Sequence, residues 1–401
     1  MDKKPEKLVP EVRFKGFTDD WEQRKFDNVV KRINDKDDNP ELPHIEFENI
    51  ISGNGTLNKN IKDLNSKKIG TKFQKEDILF GKLRPYLKNW YFAKENGIAV
   101  GDFWVLRAKK ISVFVYYLIQ TEKFYSIANL SSGSKMPRSD WNLVSNSRFN
   151  FPENTIESIK IGNLILQLDK LITLQQRKLE FLKEIKKGLL QKMFADKSKF
   201  PILRFEGFHN EWEQRKLKNV YQKIGNAFVG TASPYYVDAG HFYLESNNIK
   251  NGQINRNHEV FINNSFYQKQ SNKLLHTGDL VMVQSGHVGD TAVITQEYNN
   301  SAAHALIMFR NPKDKFLSDY LNFYFQNTSA KNKINVLAIG NTIRHVLASD
   351  MSRFSVYFPN KDERKYISNL LLKLQYTITL QQSKISQLTI LKKYLLQKLF
   401  I

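Results

Sequence analysis

The sequence of 401 residues contains no cysteine. This absence excludes disulfide bonds, a thiolate nucleophile and cysteine-bound metals, and it favours a reducing compartment. No apolar run reaches the roughly 18 residues that a membrane-spanning helix needs. The first residues, MDKKPEKLVPEV, have no apolar run after their charges and do not resemble a signal peptide. The composition thus favours a protein that is neither secreted nor inserted in a membrane.

Motifs of common enzyme classes are also missing. There is no Gly-x4-Gly-Lys-Ser/Thr loop for a nucleoside triphosphate and no Gly-x-Gly-x-x-Gly after a strand, and the eight histidines lack the spacing of metal ligands. One hydrolytic alternative places Ser285, His287 and Asp290 around a glycine-rich turn. No oxyanion hole and no matching site in the first half of the chain support it. We therefore predict no catalytic residue, no metal site and no cofactor in this chain.

Positive charge is in large excess. Lys and Arg number 61 against 40 Asp and Glu, which gives a formal net charge of +21. A chain this basic is typical of proteins that bind a polyanion or an anionic membrane surface. Because the basic residues are not gathered on one helix faced with Trp and Phe, the pattern favours nucleic acid over membrane.

Two phrases of the sequence occur twice. RFKGFTDDWEQRKFDNV (Arg13–Val29) returns as RFEGFHNEWEQRKLKNV (Arg204–Val220), with eleven of 17 positions identical. ITLQQRK (Ile172–Lys178) returns as ITLQQSK (Ile378–Lys384), and the two repeats have offsets of 191 and 206 residues. The chain is thus predicted to hold two units with similar ends and unlike middles.

The closing phrase of each unit has the heptad spacing of a coiled coil. Apolar residues recur at steps of three and four, and Gln175 with Lys186, or Gln381 with Lys392, fill the gaps. We predict two long helices that pack on each other as an antiparallel coiled coil, the alternative being ordinary core helices. Leu174, Phe181 and Ile185 widen the apolar face, which predicts that the helices also contact a partner. The predicted contact residues are Leu168, Ile172, Leu179, Leu182, Leu374, Ile378, Ile385 and Leu388.

The middles mix short apolar runs with glycine-bounded turns, a pattern typical of strands and hairpins. Asn54-Gly55 and Asn251-Gly252 predict tight turns, and Asp77 and Asp279 are expected to cap turns before apolar strands. The predicted fold is α+β: two mixed α/β globules separated by two long helices, in a pseudo-twofold repeat. The predicted divisions are a first globule at residues 1–153, a helix at 154–194, a linker and second globule at 195–358, and a second helix at 359–401.

Basic, aromatic and amide side chains gather in turns of both middles. Arg and Lys bind phosphates or guanine edges, whereas Asn and Gln bind adenine edges. For any single residue a solvated loop is an equally good interpretation, but together with the net charge the set favours DNA contact. The predicted DNA-binding residues are Lys82, Arg84, Tyr86, Lys88, Lys135, Arg138, Tyr235, Tyr236, Gln284, Ser285, His287, Asn341, Thr342 and Arg344.

This layout resembles the DNA specificity subunit of type I restriction-modification systems. The resemblance is carried by the paired Phe-x-Gly-Phe…Trp-Glu-Gln-Arg-Lys phrases, by the paired Leu-Gln-Gln helices that end at Phe194 and Phe400, and by Gly278-Asp279 with the Ser285-Gly286 turn. It implies two target-recognition domains that alternate with two helical regions, in a bacterial cytoplasmic subunit that acts at the nucleoid. The first unit keeps Asp77 but departs from the glycine-rich part of that signature.

The resemblance also implies where the chemistry occurs. Double-stranded DNA, two methyltransferase subunits and restriction-translocase subunits would be the partners, and S-adenosylmethionine, ATP and Mg²⁺ would be bound by those subunits. The chain itself has no Asn-Pro-Pro or Asp-Pro-Pro motif. Helices of roughly 30 residues span about 45 Å, compared with about 34–36 Å between major grooves on one face of DNA. We therefore expect a bipartite target with an unspecified gap. A sequence-tolerant nucleic-acid binder and a structural coiled-coil protein are the alternatives.

Overall fold

The structure is a computed structural model that describes residues 9–130, 136–196, 198–340 and 344–401. The chain forms two compact units. The first comprises Met1–Gln176 with Ser383–Ile401, and the second comprises Arg177–Gln382. Each unit therefore holds one variable middle, part of the first long helix and part of the second.

The first unit contains two four-stranded sheets and two strand pairs. The sheet ordered β2-β11-β8-β9 separates two cores: Trp104 and Leu106 face the larger one, whereas Val105, which pairs with Ile33 and Leu79 in antiparallel register, faces the smaller. The second sheet has the order β3-β7-β10-β4, and β1-β12 and β5-β6 pair separately. The strands are β1 Glu22–Lys25, β2 Val30–Ile33, β3 Lys36–Asp37, β4 His44–Ile45, β5 Ile50–Ile51, β6 Thr56–Leu57, β7 Gly70–Phe73, β8 Ile78–Gly81, β9 Trp90–Phe92, β10 Gly97–Ala99, β11 Phe103–Ala108 and β12 Arg148–Phe151.

Short helices cover the first sheet with aromatic side chains. The Thr121 hydroxyl caps one of them by accepting the Phe124 N–H at 3.3 Å, which fixes where that helix begins. The buried ring of Phe26 lies 5.5 Å from Phe124 and 5.6 Å from Phe149, measured between ring centroids. The short helices are α1 Phe26–Val29, α2 Ser112–Leu118, α3 Glu122–Ala128 and α4 Trp141–Asn146. The long helix α5, Thr155–Lys192, begins in this unit and ends in the second.

The second unit repeats this plan with different lengths. Its sheets have the orders β14-β23-β20-β21 and β15-β19-β16-β22, beside the pairs β13-β24 and β17-β18. The strands are β13 Glu213–Lys216, β14 Tyr221–Asn226, β15 Tyr236–Val237, β16 His241–Leu244, β17 Ile249–Lys250, β18 Gln253–Ile254, β19 Phe261–Ile262, β20 Leu280–Val283, β21 Thr291–Val293, β22 Ala302–Ala303, β23 Leu306–Pro312 and β24 Ser355–Phe358. The helices are α6 Asn264–Lys269, α7 Leu317–Gln326, α8 Thr328–Leu337, α9 Ala348–Arg353 and α10 Lys361–Lys398.

The predicted turns are present. Asn251 and Gly252 both have positive φ, at 54° and 82°, and join β17 to β18 as a two-residue hairpin. The Asp77 carboxylate accepts the Gln74 N–H at 2.7 Å, and the Asp279 carboxylate accepts the His276 N–H at 2.9 Å. Both carboxylates therefore close the turn that leads into a central strand.

The repeated opening phrase forms the outer frame of each unit. In the first unit β1 pairs with β12, and in the second β13 pairs with β24, so each phrase closes the middle that follows it. Trp21 and Trp212, which precede these strands, are both buried. The repetition thus encodes the same closure twice.

The long helices α5 and α10 each have 38 residues and run antiparallel. Within the first unit Lys392 Nζ lies 2.7 Å from Asp169 Oδ1, which joins the late part of α10 to the early half of α5. Within the second unit Lys186 Nζ lies 2.5 Å from Gln375 Oε1, which joins the late part of α5 to the early half of α10. The predicted fold class, two α+β globules with paired antiparallel helices, is confirmed.

The coiled-coil positions are shielded to different degrees. Ile172, Leu179 and Ile378 are buried, and the other five predicted contact residues are half-buried. Leu174 and Phe181 are exposed by 59% and 63%. Throughout the described part of the chain, no helix has the length and apolarity required to traverse a bilayer.

Candidate nucleic-acid interface

In the first unit, the turn that follows β8 lies against the segment that precedes α4. The Arg84 N–H donates to the Pro137 carbonyl at 2.7 Å, and Leu83 forms a β-bridge with Arg138. Asp102 lies between the two segments: its carboxylate is 3.5 Å from Lys82 Nζ and 3.0 Å from the Arg138 guanidinium. The fold therefore brings Lys82 and Arg138, which are distant in sequence, to one carboxylate, beside the backbone of Arg84.

The same turn has an unusual backbone. Arg84 and Lys88 adopt left-handed conformations, with φ of 46° and 55°, on either side of the 3₁₀ turn Pro85–Leu87. The proline sets its own φ and leaves Tyr86 at the tip, where 55% of that residue is exposed. The Lys88 ammonium lies 5.6 Å from the centroid of the Tyr125 ring. This turn presents one ring and several cations on a constrained backbone.

In the second unit, the corresponding turn follows β20. Ser285 Oγ and His345 Nδ1 lie 2.6 Å apart, and the Val346 N–H donates to the Gln284 carbonyl at 3.0 Å. The Gly286 N–H donates to the Arg344 carbonyl at 3.3 Å. The fold thus joins Gln284 and Ser285 to the segment that begins at Arg344.

His287 and Asp290 have separate partners. His287 Nε2 donates to the Ser246 and Ile249 carbonyls at 3.1 and 3.3 Å, while the Asp290 carboxylate lies 3.4 Å from Lys331 Nζ. Because Ser285 is paired with His345, the serine, histidine and aspartate of the hydrolytic alternative do not form one hydrogen-bonded set. The geometry is that of a turn held in place by its neighbours.

The two tyrosines predicted to bind DNA in the second unit are held by neighbouring side chains. Tyr235 stacks on Phe266 with centroids 4.0 Å apart, and the Tyr236 hydroxyl donates to Glu245 Oε1 at 2.5 Å. Burial and this carboxylate raise the pKa of Tyr236. The hydrogen bond from His304 lowers the pKa of Glu245, and the same contact raises the pKa of His304. Tyr236 therefore presents a neutral hydroxyl beside an ionised carboxylate.

Three of the predicted DNA-binding residues, Lys135, Asn341 and Thr342, lie outside the described residues. Sequence reasoning did not find Asp102 or His345, which organise the two turns. Neither residue belongs to a repeated phrase, so no sequence signal marks them. Among the described residues, no group of three or more His, Asp or Glu side chains could hold a metal ion.

Sequence reasoning also missed two equivalent buried ion pairs. One in each unit joins the opening phrase to the start of a long helix. Arg13 Nε and Nη2 donate to the two carboxylate oxygens of Glu157 at 2.7 and 2.9 Å. Arg204 donates likewise to Glu363 at 2.6 and 2.8 Å. The arginines belong to the opening repeat and the glutamates have the 206-residue offset of the closing repeat, so the signal was in the sequence.

Comparison with known proteins agrees with this architecture. Residues 184–389 match the family model of the type I restriction modification DNA specificity domain. The type I restriction enzyme MjaVIII specificity subunit of Methanocaldococcus jannaschii is 19% identical over 296 residues, which cover 72% of this chain and 69% of that protein.

Two solved structures share the fold. The type I restriction-modification S subunit from M. genitalium has a TM-score of 0.63 at 12% identity, covering 98% of this chain and 99% of the other. A chain from a study of the assembly and conformational transition of a type I R-M system has a TM-score of 0.55 at 16% identity, covering 97% and 99%. The family match spans half of the sequence, and the chain therefore belongs to the type I restriction-modification DNA specificity family, as a non-catalytic specificity subunit.

Proposed function

We propose that this subunit reads a bipartite DNA target, with one half-site for each target-recognition domain and an unspecified central gap. The observation that carries the proposal is the repetition of one frame around two unlike middles. Each frame has an arginine–glutamate ion pair and a closing strand pair. A repeated frame presents two different readers in equivalent poses, which matches a target with two unlike halves. We expect about 3–5 base pairs per half and a gap of roughly 5–8, so that both halves are read in major grooves about one helical turn apart.

Two separate contributions to DNA binding are expected, one from the net charge and one from particular side chains. The net charge of +21 favours contact with the phosphate backbone, an interaction that weakens steeply with salt and is independent of sequence. Discrimination between bases would come from side chains of the two turns, such as Arg84, Arg138 and Gln284. A good bidentate contact to a base edge contributes about 1–3 kcal/mol of discrimination.

The exposed apolar residues of the long helices fit partner docking. Leu174 and Leu380 are exposed by 59% and 51%, and Ile185 and Leu391 by 37% and 43%. The members of each pair have the 206-residue offset, so the same exposed pattern occurs twice. We infer that each copy docks one methyltransferase subunit through helix packing. Those subunits would bind S-adenosylmethionine, whereas a restriction-translocase subunit would bind ATP and Mg²⁺.

The division of labour follows the predicted boundaries. Residues 1–153 and 195–358 would contact DNA, while 154–194 and 359–401 would space the readers and dock the methyltransferases. A subunit that directs modification of chromosomal DNA would work in the cytoplasm at the nucleoid.

The direct test is to co-express the chain with a type I methyltransferase subunit and map methylated adenines across the host genome. The proposal expects a split motif with a fixed gap, and no such methylation when the methyltransferase is expressed alone. Methylation without sequence preference would favour a sequence-tolerant binder. A single uninterrupted motif would contradict the bipartite target.

A further inference from the structure

Two equivalent lysines of the long helices have different partners. Lys392 and Lys186 are related by the 206-residue offset, and so are the positions that they contact, Asp169 and Gln375. In the first unit Lys392 forms an ion pair of 2.7 Å with the Asp169 carboxylate. In the second unit Lys186 donates to two neutral amide oxygens instead, Gln375 Oε1 at 2.5 Å and Gln326 Oε1 at 2.6 Å. The second unit thus lacks the acid that neutralises the lysine in the first.

Lys186 lines a cavity of about 740 Å³ within the second unit. Four further lysines line it, namely Lys183, Lys187, Lys250 and Lys331, and none of the described residues in the lining carries a carboxylate. Two of these cations have acids outside the lining: Lys331 lies 3.4 Å from Asp290, and Lys183 lies 2.8 Å from Glu180. The volume is in the range of small-molecule binding sites, and every charged side chain that lines the cavity is positive.

The walls of this cavity are preformed. The hairpin at Asn251-Gly252 lies against the end of α7, where the Asn322 amide donates to the Gly252 carbonyl at 2.9 Å. Gly252 has a φ of 82°, and a Cβ there would come within 2.2 Å of the Gln326 amide nitrogen, so a larger residue would be strained and would displace that side chain. The N-cap Asn327 and the first residue of α8, Thr328, also line the cavity. They add the positive end of a helix dipole to the lysines.

The positive charge gathered in this cavity carries an electrostatic cost. Burial and, to a smaller extent, the nearby charge of Lys331 together lower the pKa of Lys186 to about 8. A buried ammonium without a counter-ion is destabilising, and an anion in the cavity would remove that cost. The donors are ammonium and amide N–H groups, which together suit an anion with several acceptor oxygens.

We propose that this lysine-lined cavity binds the phosphate ester of a nucleotide or of a nucleic-acid backbone. A phosphate group has enough acceptor oxygens to engage Lys186, Lys331 and an amide at once, and lysine is a common phosphate ligand. Helix N-termini bind the same group. The proposal does not require a bipartite DNA target, because it concerns the chemistry of one cavity in the second unit.

The test uses the reactivity of Lys186. At pH 8 about half of an amine with a pKa near 8 is neutral and open to acylation, and a bound anion that raises the pKa slows the reaction roughly tenfold per unit. The full chain is acetylated briefly with an N-hydroxysuccinimide ester, and each lysine is quantified by mass spectrometry. Parallel samples contain no addition, inorganic pyrophosphate, ATP without metal, or a duplex of random sequence. Lys392 is the internal control.

The expected result is that a phosphate compound slows acetylation of Lys186 at least about tenfold and leaves Lys392 unchanged. Protection by pyrophosphate or ATP would identify free phosphate esters as sufficient, whereas protection by the duplex alone would identify the backbone as the source. Both outcomes support the proposal.

Two variants decide whether the cavity is responsible. Gln375→Glu supplies the carboxylate that the first unit has at Asp169, and Lys331→Gln removes one cation while keeping the length of the side chain. Both variants should lose the protection, with circular dichroism confirming that they fold. The proposal is overturned if no phosphate compound protects Lys186, or if protection is the same in both variants as in the natural chain.

Discussion

Arg204 and Glu363 are joined by two parallel hydrogen bonds of 2.6 and 2.8 Å, and the glutamate side chain is completely buried. The same guanidinium donates to the Asn210 carbonyl at 2.8 Å, so it ties the opening loop of the second unit to the start of α10. Trp212 Nε1 adds a third hydrogen bond to the carboxylate at 3.1 Å. Arg13 repeats the arginine contacts in the first unit, with Glu157 and the Asp19 carbonyl, so we regard the arginine–glutamate pair as a fixed part of the frame of each unit.

Removing the carboxylate should destabilise only the unit that contains it. Glu363→Gln leaves a largely buried guanidinium without its counter-ion, which typically costs about 3–5 kcal/mol. Hydrogen exchange followed by mass spectrometry should show faster exchange in residues 177–382, and Glu157→Gln should do the same for the first unit. Glu213→Gln, at an exposed ion pair with Arg215, is the control and should have no measurable effect. Equal loss of protection in both units from either variant would contradict independent frames.

Lys186 should make the stability of the second unit depend on pH. Its folded-state pKa is about 8, below the ordinary 10.5, so the unfolded state binds more protons between these values and stability rises with pH across that interval. The free energy of unfolding rises by about 3 kcal/mol at most across this interval. Lys186→Met should abolish the rise and stabilise the chain at pH 7, as measured by urea unfolding at several pH values. Lys392→Met, the matched variant, should destabilise instead because it removes the cation from Asp169 and leaves that carboxylate only the hydrogen bond from the Tyr117 hydroxyl. A stability that is flat from pH 8 to 10 in the natural chain would contradict this account.

The exposed turn of the first unit should contribute to DNA affinity through phosphate contact. Lys88→Ala is expected to weaken binding to specific and random duplexes alike and to reduce the slope of log affinity against log salt by about 1. Fluorescence anisotropy at several salt concentrations measures this slope. Lys178→Ala, an exposed lysine on α5, is the control. An unchanged slope for Lys88→Ala would place the turn away from the DNA backbone.

Methyltransferase docking should follow the repeated apolar positions. Leu174→Asp and Leu380→Asp each place a charge in one of two equivalent exposed faces, so each is expected to release one methyltransferase subunit and the double variant both. Native mass spectrometry of the co-expressed complex gives the subunit count directly. Lys178→Asp, at an exposed position of α5, is the control for a general effect of negative charge. Complexes that hold one methyltransferase per natural chain under all conditions would refute symmetric docking.

The repeated segments of the sequence predicted the structure best. Heptad spacing predicted both long helices, and the polar interruptions Lys186 and Lys392 are indeed the residues that contact the opposite helix. The spacing did not show that one lysine faces Asp169 and the other Gln375, because the register of antiparallel helices depends on the folded units. The ion pair of Arg13 with Glu157 joins residues 144 positions apart, yet each has a counterpart at the offset of a repeat, Arg204 and Glu363.

The two turns of the candidate interface were less predictable for a physical reason. Composition predicts Lys82 and Arg138 as DNA contacts, but their approach to each other depends on Asp102, which has no periodicity or motif of its own. Likewise, the Ser285 turn is fixed by His345, 60 residues away. Such contacts arise from how sheets and loops pack, and a single sequence carries no pattern for them. The lysine-lined cavity is of the same kind.

The most direct test of the central claim is an exchange of residues 21–151 for the corresponding segment of another specificity subunit, followed by mapping of methylated adenines. This exchange moves β1 and β12 together, so the closing strand pair stays matched. We predict that one half of the split motif changes while the other half keeps its sequence. A motif that changes in both halves, or in neither, would contradict a subunit built from two independent readers.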